Sequence, residues 1–360
     1  MSKVIVGLSG GVDSAVAALL LKQQGHAVAA VFMKNWDEDD TAGYCPAAAD
    51  LADARKIAAQ LDIELATVSF SAEYWNRVFR HFLDEYAAGR TPSPDIICNR
   101  EIKFRAFLDH ALAAGADYIA TGHYARIARA PAVHLLQGLD MRKDQTYFLH
   151  TLTQAQLSRS LFPLGDFRKD EVRQLAREAG FRNHDKKDST GICFIGERRF
   201  DEFLARYLQK NPGDIRTLDG SVIGEHAGLM FYTIGQRQGL GIGGRHGSSG
   251  EPWYVIDKDM AHNTLLVAQG VDHPALFKHG LRASHLHWIS GQAPSPPFVC
   301  TARIRHQQPV QACTLVNIAD KDGIVEFAQA QRAITAGQSV VFYSGDECLG
   351  GGIIEAALEP

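Results

Sequence analysis

Three short stretches of this chain hold side chains that could do chemistry. The first is SGGVDS, Ser9 to Ser14, with two glycines, two hydroxyls and one carboxylate. It stands between the apolar run KVIVGL and the run AVAALLLKQQG, so it reads as a turn from a strand into a helix. Such a turn offers backbone N–H groups and the positive end of a helix dipole to an anion, and Gly10 and Gly11 let the backbone come close. A Walker loop would carry a lysine before its Ser/Thr; this loop has none, which argues against transfer of a γ-phosphate. Asp13 is of the type that helps hold Mg2+ between phosphates. The plain alternative is a ligand-free glycine turn capped by Ser9 or Asp13.

The second stretch is TPSPDIICNREIKFRAFLDHAL. Its prolines dictate an extended approach, after which Cys98 and Asn99 stand at the start of an amphipathic helix. A cysteine at a helix N-terminus has a lowered pKa, and Asp95 is near enough in sequence to exchange a proton with it or with a substrate. Equally, Asp95 or Asn99 could cap the helix while Cys98 fills a gap. The third stretch, KKDSTGICFIGERR, sets Cys193 between Gly191 and Gly196, with Lys186, Lys187, Arg198, Arg199 and Arg182 around it. These charges favour a thiolate or persulfide anion and give a phosphate backbone a place to enter. Taken alone, GICFIG also fits a buried strand with a structural cysteine.

The elements that must position these residues fall into three regions. Up to about residue 198, strand-like runs (KVIVGLS, HAVAAVFMK, IELATVSF, DYIATGHYAR) alternate with helical ones near 14–24, 46–60, 72–88 and 100–114. That rhythm predicts a parallel sheet covered by helices on both faces, with ligands at the carboxyl ends of the strands. Over 211–275, after the helical RRFDEFLARYL, the turn signals NPGD, LDG and GLGIGG replace helical periodicity and predict a small glycine-rich β domain. From about 280, FVCTARIR, QACTLVNI, GIVEFA and SVVFYSG recur at a spacing that suits a barrel. The domain expectation is therefore 1–198, 199–278 and 279–360.

Bulk properties narrow the class. The chain has 360 residues, 46% hydrophobic and 22% charged, with a net charge of −4, which suits a globular protein and not a general nucleic-acid coat. No apolar run approaches membrane-spanning length and no signal peptide is evident, so no membrane partner and a cytoplasmic location are expected. Six scattered cysteines without a C-x-x-C pair suggest neither a zinc ribbon nor a disulfide scaffold.

SGGVDS resembles the PP-loop of the ATP pyrophosphatases. Together with SPDIICN, TGHYAR, KDQTYFL, STGICFIG and YTIGQRQGLGIGG, in that order over essentially the whole chain, it resembles the tRNA-specific 2-thiouridylase family. The resemblance implies a Rossmann-like α/β domain of the adenine nucleotide alpha hydrolase type, followed by two small β-rich domains, the last a β-barrel. It implies ATP-dependent replacement of O2 of the wobble uridine by sulfur, with Mg2+, releasing AMP and pyrophosphate. Gly7, Leu8, Ser9, Gly10, Gly11, Val12, Asp13 and Ser14 would hold ATP, with Met33 and Gly122 completing the site. Ser93, Pro94 and Asp95 would meet the target base, with Asp95 as acid or base. Cys193 would carry the persulfide sulfur and Cys98 would resolve the reaction, leaving an alternate Cys98–Cys193 disulfide. His123, Lys143, Asp144, Gln145, Arg305, His306 and Gln338 would lie against tRNA, with the terminal β domain gripping the anticodon stem. The tRNAs for glutamate, glutamine and lysine are the expected substrates, and a persulfide relay protein the expected sulfur donor.

Leu8, Ala15, Gln238 and His306 depart from the residues frequent in that family; the departures touch individual ATP and tRNA contacts and leave the chemistry intact. The mild basic excess over 142–199, twelve Lys/Arg against eight Asp/Glu, suits one wall of a tRNA groove. Fifteen histidines invite a metal, but HLHW at 285–288 alternates like a strand and no H-E-x-x-H occurs, so no resident metal is expected. WDEDD, Trp36 to Asp40, reads as a solvated acidic loop that could hold a cation. Two other readings stay open: a PP-loop amidotransferase or ligase, which would need neither cysteine, and a nucleotide- or RNA-binding module that keeps the loop without catalysis.

Overall fold

The computed structural model describes residues 1–36, 46–187, 200–243 and 250–359. Strand β1 (Lys3–Gly7), helix α1 (Val12–Gln23), strand β2 (Ala27–Lys34), helix α2 (Pro46–Leu61) and strand β3 (Leu65–Ser69) repeat the expected alternation. Gly25, in the left-handed region at φ 81°, ends the first helix. A second helical layer follows: α3 (Ser71–Tyr74) and α4 (Arg80–Ala87) flank a π turn over Trp75–Phe79, and α5 (Pro94–Cys98) and α6 (Phe107–Ala113) flank another over Asn99–Ala106. Next come β4 (Tyr118–Ala120), the hairpin β5 (Ala125–Arg129) and β6 (Val133–Gln137), α7 (Thr146–Leu149), α8 (Gln154–Ser158), β7 (Ser160–Leu161) and α9 (Lys169–Glu178).

The first sheet has the order β3-β2-β1-β4-β7, every pair parallel. Its burial follows the strand period of two. Val4 and Val6 of β1 pack with Val16, Leu21 and Val172 from α1 and α9, whereas Ile5 joins Phe79, Phe82, Phe104 and Phe107 on the opposite face. Two boundaries differ from expectation. DYIATGHYAR is not one strand: it breaks after Ala120, because Gly122 is seated against the backbone of Asp13 and Ser14. The helix expected near residue 100 begins at Pro94, whose fixed φ suits the first helical position, with Ser93 as N-cap. Cys98 therefore sits a full turn inside the helix and not at its start.

After α10 (Phe200–Leu204), strands β8 (Gly213–Arg216), β9 (Val222–His226), β10 (Trp253–Asp259) and β11 (Thr264–Gln269) form a small sheet, order β10-β11-β8-β9, around Ile215, Val255, Leu265 and Val267. The remaining strands are β12 (Phe277–Trp288), β13 (Phe298–Arg303), β14 (Gln311–Ala319), β15 (Asp322–Arg332), β16 (Ser339–Ser344) and β17 (Glu347–Leu358). Because β12 pairs with both β15 and β17, these six antiparallel strands close into the expected barrel. One connection is absent from the sequence reading: β6 pairs with the start of β17 (Leu136 with Glu347, Leu135 with Cys348), so a hairpin of the first region extends the barrel's sheet. Among the described residues no helix is long and apolar enough to cross a membrane.

Candidate functional site

The glycine loop is built by its neighbours rather than by its own side chains. Leu8 and Val12 are buried in the core, and the Leu8 N–H donates to Val31 O at 2.9 Å, which holds the loop to β2. Ser14 Oγ donates to Gly11 O at 3.1 Å and accepts from Ser9 N–H at 3.1 Å, which closes the turn internally. Gly11 is the N-cap of α1 and supplies no side-chain cap, so backbone groups of the first turn face an incoming anion. Gly10 lies at φ 78°, and a Cβ there would stand 2.2 Å from Asp50 O. A Cβ on Gly122 would stand 2.8 Å from Asp13 C and Ser14 N, and one on Gly7 would meet Met33 Cε at 3.0 Å. The structure thus brings Gly7–Ser14, Met33 and Gly122 together at the carboxyl end of β1.

The lysine that the loop lacks arrives from elsewhere. Lys169, the first residue of α9, places Nζ 2.7 and 2.8 Å from the two Asp13 oxygens, while Tyr124 OH donates to Asp13 Oδ1 at 2.8 Å. Gly10 O accepts from Asn183 Nδ2 at 3.0 Å, and Lys186 Nζ reaches Gly10 O at 3.4 Å, Asp50 at 2.8 Å and Asp53 at 2.9 Å. Burial pulls the Lys186 pKa down, but its hydrogen bonds to Asp50 and Asp53 prevail and hold it above the ordinary value; the same contact with Lys186 lowers Asp53. Lys169 and Asn183 escaped the sequence reading because only the fold brings positions so far along the chain to residues 10–13; no local pattern marks them. Polyphosphate with Mg2+ fits this donor set, since the N–H groups of the loop stand beside Lys169 and the Asp13 carboxylate. Among the described residues no group of three or more His, Cys, Asp or Glu forms a metal cage, and in HLHW His287 Nε2 donates instead to Leu152 O at 3.0 Å.

Asp95 and Cys98 lie on α5, which runs through the π turn into α6, whose first residue, Phe107, would stand 3.5 Å from a Cβ built on Gly7. Cys98 is 2% exposed, in the cluster of Ile97, Ile102 and Phe104. Asp95 is desolvated, which raises its pKa, with the Lys103 charge as a smaller opposing influence. A carboxyl whose folded pKa lies above its unfolded one loses stability for the fold as pH rises through that window. Asp95→Asn is therefore expected to raise the melting temperature at pH 7, measured by thermal denaturation, even where it lowers activity.

Several residues expected against tRNA occupy interior seams. His123 is 6% exposed, between the rings of Phe104 and Phe162, bonded through Nδ1 to Thr121 Oγ1 at 2.7 Å; burial pushes its pKa well below the ordinary value. Asp144 pairs with Arg303 Nη1 at 2.8 Å, their side chains 0% and 5% exposed, and also accepts from Gly138 N–H, Thr146 and Gln137. In these placements the His123 imidazole is buried and neutral, and the Asp144 carboxylate is turned to Arg303. Half-buried Gln145 is locked to Tyr124 in both directions, at 3.0 Å each, beside half-buried Lys143. Arg305 donates to Ile234 O, Ala333 O and Thr335 Oγ1; His306 Nε2 donates to Asp144 O at 3.1 Å and its ring lies 4.3 Å from that of Phe148. Gln338 Nε2 donates to Thr91 O at 2.7 Å, two residues before Ser93. Asp144→Asn leaves the Arg303 charge buried, so denaturant unfolding is expected to show a loss of about 3 kcal/mol.

Cys193, Arg198 and Arg199, the Cys98–Cys193 pairing, and residues 37–40 of the acidic run lie outside the described residues.

Comparison with known proteins covers the whole chain. Residues 2–197 match a family model described as a tRNA methyl transferase HUP domain, residues 201–269 a tRNA methyl transferase PRC-barrel domain, and residues 278–354 an aminomethyltransferase beta-barrel domain. The chain is 60% identical to the tRNA-specific 2-thiouridylase MnmA of Methylococcus capsulatus over 98% of its length and 96% of that protein. It is 58% identical to the namesake from Marinobacter nauticus, covering 98% of this chain and 91% of that one. To the namesake from Methylobacillus flagellatus it is 57% identical, with 99% of each chain covered.

Proposed function

The chain belongs to the tRNA-specific 2-thiouridylase family, and from that premise we propose the route by which it transfers sulfur to tRNA. As a member it is an enzyme, a tRNA-uridine 2-sulfurtransferase. The wobble uridine is the proposed target, activated by ATP at O2 with release of pyrophosphate. Carbonyl oxygen leaves poorly from C2, and as AMP it leaves readily. A persulfide on Cys193, loaded by a relay protein, attacks C2; Cys98 thiolate then takes the Cys193 sulfur and breaks the S–S bond. The base keeps the terminal sulfur as C2=S, AMP departs, and a Cys98–Cys193 disulfide remains for reduction.

Within this reading Gly7–Ser14, Met33 and Gly122 hold the nucleotide, and Lys169 joins them beside Asp13. Mg2+, when bound, supplies charge neutralisation between phosphates, with Asp13 as the carboxylate that could turn to it. Asp95 moves the proton, its raised pKa suiting an acid/base group. Residues 1–198 are the catalytic domain, 199–278 a connecting β domain, and 279–360 the domain that grips tRNA, those for glutamate, glutamine and lysine first among the candidates.

The observation that carries the reading is the loop itself, at whose floor Gly10 and Gly122 meet backbone with no room for a Cβ. The domain descriptions speak of methyl transfer, but the three full-length relatives are named for thiolation and the loop suits a polyphosphate. Incubating the purified chain with tRNA, ATP, Mg2+ and a persulfide donor is expected to give 2-thiouridine at the wobble position by mass analysis of nucleosides. Thiolation that proceeds without ATP, or none in its presence, would overturn the proposal.

A further inference from the structure

Residues 89–91, immediately before the prolines and Ser93 of the segment assigned to the target base, are gripped by both β domains. Gly89 O accepts from Lys258 Nζ at 2.9 Å, from β10 of the small sheet. Arg90 Nη1 and Nη2 donate to Glu355 Oε2 and Oε1 at 2.6 and 3.2 Å, across to β17 of the barrel, while its Nε donates to Glu85 at 2.7 Å. Thr91 N–H donates to Ala336 O at 2.9 Å, its carbonyl accepts from Gln338, and its hydroxyl meets that of Thr233 at 3.3 Å. A Cβ on Gly337, itself at φ 90°, would stand 2.7 Å from Thr91 N. The barrel side is stiff in turn: Gly337 and Gln338 are bonded to Ile354, and Ser284 Oγ donates to Glu355.

Such connectors are ordinarily the loosest part of a domain. Here Pro92 and Pro94 remove the remaining slack, so a displacement of the barrel against the parallel sheet is transmitted to Ser93–Asp95. We propose that the Arg90–Glu355 pair is a positioning device through which the barrel sets the Ser93–Asp95 segment against the reacting base. Neither residue touches substrate; each acts through the segment that follows. The proposal rests on the thiolation reading above, in which the barrel holds tRNA and Asp95 meets the base.

The test uses the full chain, Glu355→Gln and Arg90→Lys, with purified tRNA, ATP, Mg2+ and a persulfide donor. Because misplacement of a reacting group by about 1 Å can cost on the order of 100-fold, kcat is expected to fall about tenfold in each variant. KM for tRNA and for ATP should stay within about twofold and the melting midpoint near that of the parent. The double variant should fall no further than either single one, as expected for a shared pair. Amide exchange at Thr91, Ser93 and Asp95 should quicken, which a remote structural role would not produce. Unchanged kcat in both variants, or a kcat loss that tracks a falling melting midpoint or a rising tRNA KM, would overturn the positioning role. Arg90→Lys, which keeps the charge and loses the fork, decides the matter if Glu355→Gln unfolds. A parent protein that fails to thiolate would instead sink the functional reading.

Discussion

Cys98→Ala is expected to abolish thiolation, by about 1,000-fold or more, while ATP binding stays within about twofold. The size follows from the role: without a thiolate to take the Cys193 sulfur, the S–S bond has no partner and the transferred sulfur cannot be released to C2. Cys193→Ala should have the same effect, because it removes the carrier. The discriminating measurement is quantitation of 2-thiouridine beside a nucleotide-binding titration. A merely structural Cys98, packed at 2% exposure among Ile97, Ile102 and Phe104, would show a different signature. Truncation to Ala would then cost about 1 kcal/mol of stability from the lost buried sulfur, with a rate change well under tenfold. That outcome would return the chain to PP-loop chemistry that needs no thiol.

Gly10→Ala is expected to lower ATP affinity by more than about 100-fold and stability by about 2–3 kcal/mol. Two costs act together. An L side chain at φ 78° is strained, and its Cβ would lie 2.2 Å from Asp50 O, a backbone atom of α2 that no rotamer change can move. Relief requires flipping the Gly10 peptide, which would break the bond from Asn183 to Gly10 O and turn the loop's N–H groups away from an anion. Gly11→Ala serves as the stability control: Gly11 has φ −85°, and its Cβ would meet nothing nearer than Ser9 Oγ at 3.5 Å. Calorimetric ATP titration with parallel thermal melts reads both quantities; unaltered ATP affinity in Gly10→Ala would exclude the loop as the nucleotide site.

Local sequence was a good guide where the determinant is local. The glycine loop announces itself because a strand, two glycines and a helix start are consecutive. The alternating runs in the region up to about residue 198 yield a parallel sheet because burial on both faces and helix periodicity are written residue by residue. The short β runs near the end yield a barrel, although that six strands close through β12 and β17 is a matter of pairing between the region's two ends.

The sequence by itself determined the chemistry on offer: an anion loop without a Walker lysine, one cysteine beside Asp95, another among basic residues, and motifs in the order of a known family. Only the tertiary structure decided what those groups touch. It delivered Lys169 to Asp13, moved Cys98 a turn into its helix, buried Asp144 against Arg303, and joined Arg90 to Glu355. Each of these depends on contact between distant segments. Side-chain type and spacing fix what a residue can do, whereas its solvation and its partner are set by which other part of the chain packs against it.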